Sequence, residues 1–185
     1  MAKLDELKAQ LLPFVKQHAH IKLSQPIQLA SGKMSNTYFD GRQVTLHPEG
    51  MSLFARSILE VALLSEIHAV GGPSIGADPI ATAVSLFAWL DRKITLPAFL
   101  VRKEPKKHGL QRQIEGPELK PGMRVLVVED VITSGKSVLQ AISAIETLGA
   151  IVAQVVCLVD RNEGGREALS KYVYQPIFTR DEVEK

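Results

Sequence analysis

The sequence predicts a single α/β domain in which a central, mainly parallel sheet is flanked by helices, and three observations support this. Short apolar runs recur from residue 69 onward, each followed by a loop and a segment with helical spacing. Short buried strands that alternate with helices are typical of a parallel sheet. The 185 residues, 45% hydrophobic and 23% charged, suffice for one core. We find no repeat, low-complexity segment or linker, so residues 1–185 form one predicted domain.

The first 45 residues predict a helix followed by a small hood. Residues 21–40 mix polar turns with short apolar pieces, which indicates a hairpin. Pro13 is expected to disturb the preceding helix. That helix is predicted from apolar residues at helical spacing: Leu4, Leu7, Leu11, Leu12 and Val15.

The predicted core, residues 46–165, alternates strands and helices. Pro48 suits the first turn of a helix that runs to about Ser65. Residues 102–120 are polar and basic without periodicity, which indicates a loop. We expect strands at residues 68–72, 97–101, 124–129 and 151–160, and further helices at residues 79–90 and 136–148.

Composition narrows the location and the partners. The formal net charge of +2 does not require a nucleic-acid partner. The single cysteine, Cys157, excludes an internal disulfide and suits a reducing compartment, and its apolar surroundings favour a buried hydrophobe over a nucleophile. The N-terminus has no signal-peptide core, and the most apolar stretch, residues 80–90, covers roughly half a bilayer. We expect a cytoplasmic protein with neither a nucleic-acid nor a membrane partner.

The strongest functional signal runs from Val125 to Ser137. Four apolar residues precede two adjacent acids, Glu129 and Asp130, and a turn of small residues then enters a helix. In an open α/β sheet, ligands bind beyond the carboxyl ends of the strands. The turn, residues 133–137, would offer backbone N–H groups, hydroxyls and a helix N-terminus to a phosphate. The acids would accept hydrogen bonds from ribose hydroxyls, so the pattern indicates a sugar-phosphate site.

Two other interpretations of this segment were weighed. A P-loop requires a glycine five residues before Gly135, where this chain has Asp130, so that interpretation fails. A purely structural role, an acidic strand end followed by a polar helix cap, remains an alternative.

The segment resembles the phosphoribosyl-pyrophosphate (PRPP) signature of type I phosphoribosyltransferases. Residues 99–109 resemble the mobile catalytic loop of orotate phosphoribosyltransferases, with an Arg-Lys pair, a second Lys and a His-Gly. Residues 29–32 with residues 38–40 resemble that family's orotate-facing hood. Residues 71–79 resemble its pyrophosphate loop, and residues 159–161 its last site strand.

The resemblance spans about residues 20–165, with two departures. Ala30 stands where a lysine often precedes Ser-Gly, and Gly76 stands where a lysine can occupy the pyrophosphate loop. The roles of those lysines therefore do not carry over to this chain.

The resemblance implies transfer of the phosphoribosyl group of PRPP to orotate, giving orotidine 5′-phosphate and diphosphate. The expected cofactor is Mg²⁺, bound through substrate phosphates, with Asp130 as the candidate for a direct contact. We also expect a homodimer in which the mobile loop, residues 102–116, reaches the neighbouring subunit's site. The alternatives are another type I transferase, for a purine or other pyrimidine, and a non-catalytic regulator on the same fold.

The predicted site residues follow from the same comparison. Arg161 is the candidate for the orotate carboxylate, because a guanidinium matches a carboxylate at two points, and Thr133 is expected to assist. We interpret the other histidines, His18, His20, His47 and His68, as surface or cap residues. The predicted catalytic residues are Lys103, Lys106, His108 and Asp130. Those predicted to bind PRPP are Arg102, Lys103, Lys106, His108, Glu129, Asp130, Val131, Ile132, Thr133, Ser134, Gly135, Lys136 and Ser137.

Overall fold

The computed structural model describes residues 2–28, 34–104 and 113–185. The helices in these ranges are α1 Ala2–His18, α2 Arg42–Thr45, α3 Pro48–Val61, α4 Ala77–Arg92, α5 Lys136–Thr147, α6 Gly165–Ala168 and α7 Arg180–Glu184. The strands are β1 His20–Gln28, β2 Met34–Phe39, β3 Ala69–Pro73, β4 Ala98–Val101, β5 Ile114–Glu115, β6 Arg124–Ile132, β7 Ile151–Asp160 and β8 Tyr174–Thr179.

Six strands form the central sheet in the order β5-β4-β3-β6-β7-β8. All neighbours are parallel except β4 and β5, which are antiparallel. The parallel strands therefore end at one edge of the sheet, which we call the carboxyl edge. Strands β1 and β2 form a separate antiparallel hairpin, the hood. The predicted α/β class is confirmed.

The domain has one hydrophobic core on each face of the central sheet, because side chains along each strand alternate between the two faces. Leu126 and Val128 pack with helices α1, α3 and α4 on one face of the sheet. Val125 and Val127 pack with α5 on the other face. Successive side chains of a strand point to opposite faces, so an unbroken apolar run covers both. Covering both faces leaves the carboxyl edge as the place where polar side chains gather.

The structure differs from the sequence prediction at several boundaries. Helix α1 continues through Pro13, because Leu7, Leu11 and Val15 bury one face of it and offset the missing hydrogen bond. Helix α3 ends at Val61 rather than near residue 65. Strand β6 continues to Ile132, because its last residue still pairs with β7. The two predicted site acids therefore lie within β6 rather than at its end. The sequence analysis did not predict α2, β5, α6, β8 or α7.

Candidate active site

The turn between β6 and α5 presents a helix N-terminus at the carboxyl edge. Gly135 precedes α5 with φ of 77°, a conformation that glycine adopts without strain. Ser134, Lys136 and Ser137 around it are exposed. Gly165 packs closely against this turn, because a Cβ added at Gly165 would lie 3.0 Å from the carbonyl oxygen of Thr133. This geometry suits a phosphate, since it combines a helix N-terminus with hydroxyl groups.

Two adjacent carboxylates lie just before this turn in β6. Glu129 is only 7% exposed, and its Oε1 accepts a hydrogen bond of 3.1 Å from the backbone N–H of Asp130. Oδ1 of Asp130 accepts one of 2.7 Å from the N–H of Val131. Burial raises the pKa of Glu129 well above its ordinary value, and the charge of Asp130 adds to this. Burial also raises the pKa of Asp130. The pair therefore favours a ligand that brings hydroxyl donors or positive charge.

Two glycines fit closely against these carboxylates. A Cβ on Gly41, after the hood, would lie 2.7 Å from Cβ of Asp130. A Cβ on Gly76, before α4, would overlap Oε1 of Glu129 and lie 3.1 Å from Oδ1 of Asp130. A side chain at position 76 would therefore not fit, because the carboxylate of Glu129 occupies the space that it would need.

The basic loop begins beside the same glycine-containing turn. The N–H of Ser74 donates to the carbonyl oxygen of Val101, the last residue of β4. Arg102 follows, and its N–H donates to the carbonyl of Gln113 at 2.9 Å, which joins the two ends of the loop. Arg102 and Lys103 are exposed. Lys106 and His108 fall in residues 105–112, outside the described residues, so their predicted roles stay predictions.

Arg161 lies directly after β7 and follows Asp160, which pairs with Ile132 at the end of β6. Its N–H donates to the carbonyl oxygen of Ile132 at 2.9 Å, so Arg161 and Thr133 follow neighbouring strands. The side chain is 4% exposed, and its guanidinium carbon lies 5.8 Å from the ring centre of Phe39 in the hood. Among the described residues, no atom accepts a hydrogen bond from its Nε or Nη2. These two nitrogens form the edge of a guanidinium that binds a carboxylate at two points.

Comparison with known proteins assigns this arrangement to a family. The family model described as phosphoribosyl transferase domain matches residues 76–179. Orotate phosphoribosyltransferase of Nostoc sp. is 41% identical over 180 residues, which cover 96% of this chain and 85% of that protein. That of Rhodopirellula baltica is 47% identical over 149 residues, 77% of this chain and 76% of that protein. The chain belongs to the orotate phosphoribosyltransferase family.

Solved structures agree with this assignment. The crystal structure of Mycobacterium tuberculosis orotate phosphoribosyltransferase with Fe(III) dicitrate superposes with a TM-score of 0.81 at 35% identity, covering 97% of this chain and 99% of that one. Leishmania donovani adenine phosphoribosyltransferase, at 13% identity and a TM-score of 0.65, shares the fold alone. The family and the activity predicted from the sequence, transfer of a phosphoribosyl group to orotate in pyrimidine biosynthesis, are therefore confirmed for this chain.

One histidine of this chain was misinterpreted from the sequence. The side chain of His20 is only 9% exposed and stacks on Phe39 with ring centres 5.0 Å apart. Burial lowers the pKa of His20, and the carboxylate of Glu184 opposes the shift. Its interpretation as a surface or cap residue was wrong, because the hood folds back over the carboxyl edge. The sequence signal for the burial of His20 was its position at the start of the hairpin, where it pairs with Phe39.

The interpretation of Cys157 as a buried hydrophobe agrees with the structure. The thiol is buried in β7 and lies 3.2 Å from the hydroxyl of Tyr174. Burial raises the pKa of Cys157, which keeps the thiol protonated and unreactive.

The described residues contain neither a membrane-spanning helix nor a cluster of metal ligands. No described helix is both long and apolar enough to cross a membrane. Within residues 2–28, 34–104 and 113–185, no three His, Cys, Asp or Glu side chains cluster closely enough to hold a metal ion.

Proposed function

We propose that this orotate phosphoribosyltransferase joins orotate to PRPP at the carboxyl edge of its sheet, releasing diphosphate. The observation that carries the proposal is the adjacency of a phosphate-binding turn on β6 and a buried guanidinium on β7, at paired strand ends. Orotate phosphoribosyltransferase of M. tuberculosis, 32% identical with a TM-score of 0.78, has been crystallised with PRPP. We place PRPP on the corresponding elements of this chain.

The turn from Thr133 to Ser137 would bind the 5′-phosphate of PRPP. The backbone N–H groups at the start of α5 carry the positive end of the helix dipole, and the hydroxyls add donors. Glu129 and Asp130 would then meet the ribose hydroxyls. Their raised pKa values favour this, because a protonated or hydroxyl-bound carboxylate costs less in a buried site than a free charge.

Cations of the 102–116 loop would stabilise the diphosphate as it leaves. Arg102 and Lys103 begin the loop next to the turn at Gly76, and Lys106 and His108 are proposed to join them on closure. Charge on the leaving oxygens grows as the bond to the anomeric carbon breaks, so donors in place there lower the barrier. Lys103 or His108 would alternatively act as a general acid on the same oxygens.

Arg161 and Thr133 would bind orotate. The Nε and Nη2 donors of Arg161 are buried and make no hydrogen bond among the described residues, although Nη2 lies 3.0 Å from Oε1 of Glu163. A buried donor without an acceptor is costly, and the carboxylate of orotate would satisfy two donors at once. Uracil has no such carboxylate, so this pairing would also set the choice of base.

Mg²⁺ is the proposed cofactor, and the residues present fit it in one specific way. Strand β6 offers two adjacent carboxylates, Glu129 and Asp130, and the described residues contain no three-ligand cluster. Mg²⁺ typically uses one or two carboxylates together with substrate phosphates and water. Asp130 is the proposed protein contact. When bound, the ion would neutralise the diphosphate group.

The enzyme is proposed to work as a cytoplasmic homodimer. Leu86, Trp89 and Leu90 form an exposed apolar stripe on α4, which begins at the same turn that contacts Glu129. Positions i, i+3 and i+4 share one face of a helix, so a second copy of this chain could cover all three. A two-fold arrangement would let each subunit lend its loop to the other.

A turnover assay tests the reaction and the base pocket together. Purified enzyme should consume PRPP in the presence of Mg²⁺ with orotate, and not with uracil, adenine or hypoxanthine. Arg161→Lys should raise KM for orotate about tenfold and leave KM for PRPP nearly unchanged, because lysine lacks the two-point contact. Consumption of PRPP with adenine but not orotate would contradict the proposed base. Equal effects on both KM values would remove Arg161 from the base pocket.

A further inference from the structure

An alternating row of charges runs from Arg161, which follows β7, to Arg180 and Glu184 in α7, which follows β8. Nη2 of Arg161 lies 3.0 Å from Oε1 of Glu163, and the same oxygen lies 3.7 Å from Nη1 of Arg180. Nε of Arg180 in turn donates to Oε1 of Glu184 at 2.8 Å. Two arginines therefore share one carboxylate, and α7 supplies the outer half of the row.

Glu163 is the buried centre of this row. Its side chain is 9% exposed and that of Arg161 is 4% exposed, so neither charge is well solvated. A buried carboxylate persists as a charge only when cations or donors surround it, and here two guanidinium groups do so. Phe39 contacts the same guanidinium from the hood. Arg161 is thus held between a carboxylate and an aromatic ring.

The row also reaches the hood. Oγ1 of Thr37 in β2 donates to Oε1 of Glu184 at 3.5 Å and accepts from Nη2 of Arg180 at 3.4 Å. Nε2 of His20 in β1 lies 3.7 Å from the same carboxylate oxygen of Glu184. The hairpin that carries Phe39 is therefore fixed to the same charges as Arg161.

The contact between Arg161 and Glu163 is an ion pair and not a hydrogen bond through the binding edge of the guanidinium. Although Nη2 is 3.0 Å from Oε1 of Glu163, this ion pair lacks the alignment of a hydrogen bond, and Nε makes none within the described residues. Glu163 thus restrains the position of the guanidinium without using its two parallel donors. Glu163 would not bind orotate directly, because its own negative charge repels the carboxylate of the ligand.

We propose that Glu163 is a positioning residue for orotate: it holds the guanidinium of Arg161 where Nε and Nη2 meet the orotate carboxylate. The inference rests on the proposed role of Arg161.

Removing the Glu163 charge has two opposite consequences. The field at the site becomes more positive, which alone would strengthen the binding of an anion. The guanidinium also loses its restraint and is repelled by Arg180. The proposal states that the loss of position outweighs the gain in field.

Glu163→Gln in the full-length enzyme distinguishes the two consequences. Loss of position should raise KM for orotate about tenfold, with KM for PRPP and kcat at saturating orotate within twofold of wild type. Calorimetric titration with orotate should show the same fold-change in Kd. An unchanged or lowered KM for orotate would overturn the proposal. That result is expected if Glu163 only makes the electrostatic potential at the site less positive and does not position Arg161.

Glu60→Gln is the matched control. Glu60 likewise lies between two cations, 2.7 Å from Nη2 of Arg92 and 3.2 Å from Nζ of Lys3, but it joins α3 to α4 and α1. It should lower the melting temperature without changing either KM. Equal KM changes in both variants would mean that Glu163 acts only through stability.

Glu163→Asp keeps the test decisive if Glu163→Gln does not fold. Aspartate retains the charge but shortens the reach by one methylene, so KM for orotate should still rise more than KM for PRPP. Wild type without orotate turnover would refute the proposed function. If the wild-type enzyme turns over orotate and the Glu163 variant has a normal KM for orotate, only this inference is refuted.

Discussion

Gly41→Ala should damage PRPP use even though its backbone accepts alanine. Gly41 has φ of −59° and ψ of −23°, where replacing glycine by alanine ordinarily stabilises by roughly 0.5–1 kcal/mol. The new Cβ, however, would lie 2.7 Å from Cβ and 2.9 Å from Oδ2 of Asp130. Carbon atoms pack at about 3.5–4.0 Å, so Asp130 or the segment after the hood must move by about 1 Å.

Movement of that size has predictable costs. Overpacking of a buried contact costs about 1–3 kcal/mol, which outweighs the gain from the backbone. A misplacement of about 1 Å at a reacting centre lowers the rate by about 10²-fold. We expect kcat/KM for PRPP to fall by about 10- to 100-fold, measured by initial rates at saturating orotate, with a modest decrease in melting temperature.

Gly122→Ala separates this effect from stability. Gly122 has φ of +80° and no heavy atom within 4 Å of an added Cβ, so alanine there costs about 1–2 kcal/mol through the backbone alone. It should lower the melting temperature and leave kcat/KM for PRPP unchanged. The reasoning is refuted if Gly41→Ala retains wild-type kcat/KM, or if Gly122→Ala loses as much activity.

Three further predictions concern the loop, the subunits and the acids. Lys103→Ala should lower kcat about 10²-fold with little effect on PRPP binding; unchanged turnover would exclude that role. Mixing Lys103→Ala with Asp130→Asn subunits should restore roughly a quarter of wild-type activity after random exchange, and no recovery would mean that each loop serves its own subunit. Burial raises the pKa of Glu129, so metal-free, substrate-free wild type should lose stability as pH rises from the ordinary glutamate range through the raised value. Glu129→Gln should therefore melt higher than wild type near neutral pH but not near pH 4, and a difference independent of pH would count against this.

Periodicity predicted the elements that bury the most apolar surface. The run from Ile151 to Asp160 predicted β7 to the residue, because it is apolar apart from Gln154 and the terminal Asp160, as expected for a strand buried on both faces. Helix α5 was one residue shorter than predicted. The sequence also predicted the turn before α5, because a glycine among small hydroxyl residues between a strand and a helix seldom has a purely structural role.

The missed elements depend on contacts that are distant in sequence. Strand β8 contains Pro176, which argues against a strand unless it lies at a sheet edge, and only the fold shows that it does. Strand β5 has two residues, too few for any periodicity. Arg161 was a candidate on chemistry alone, and its contact with Phe39 could not be read from residues that lie more than a hundred positions apart.

The two separate sheets have a consequence for amide hydrogen exchange. Strand β6, which carries Glu129 and Asp130, is paired on both sides, with β3 and β7. Its amide protons should therefore exchange with solvent only when the whole domain unfolds. The described part of the hood has no backbone pairing with the central sheet and is joined to it by side-chain contacts such as those of Phe39 and Thr37. Its amides should exchange through a smaller, local opening, which gives a base a route to Arg161 while the catalytic strand stays intact.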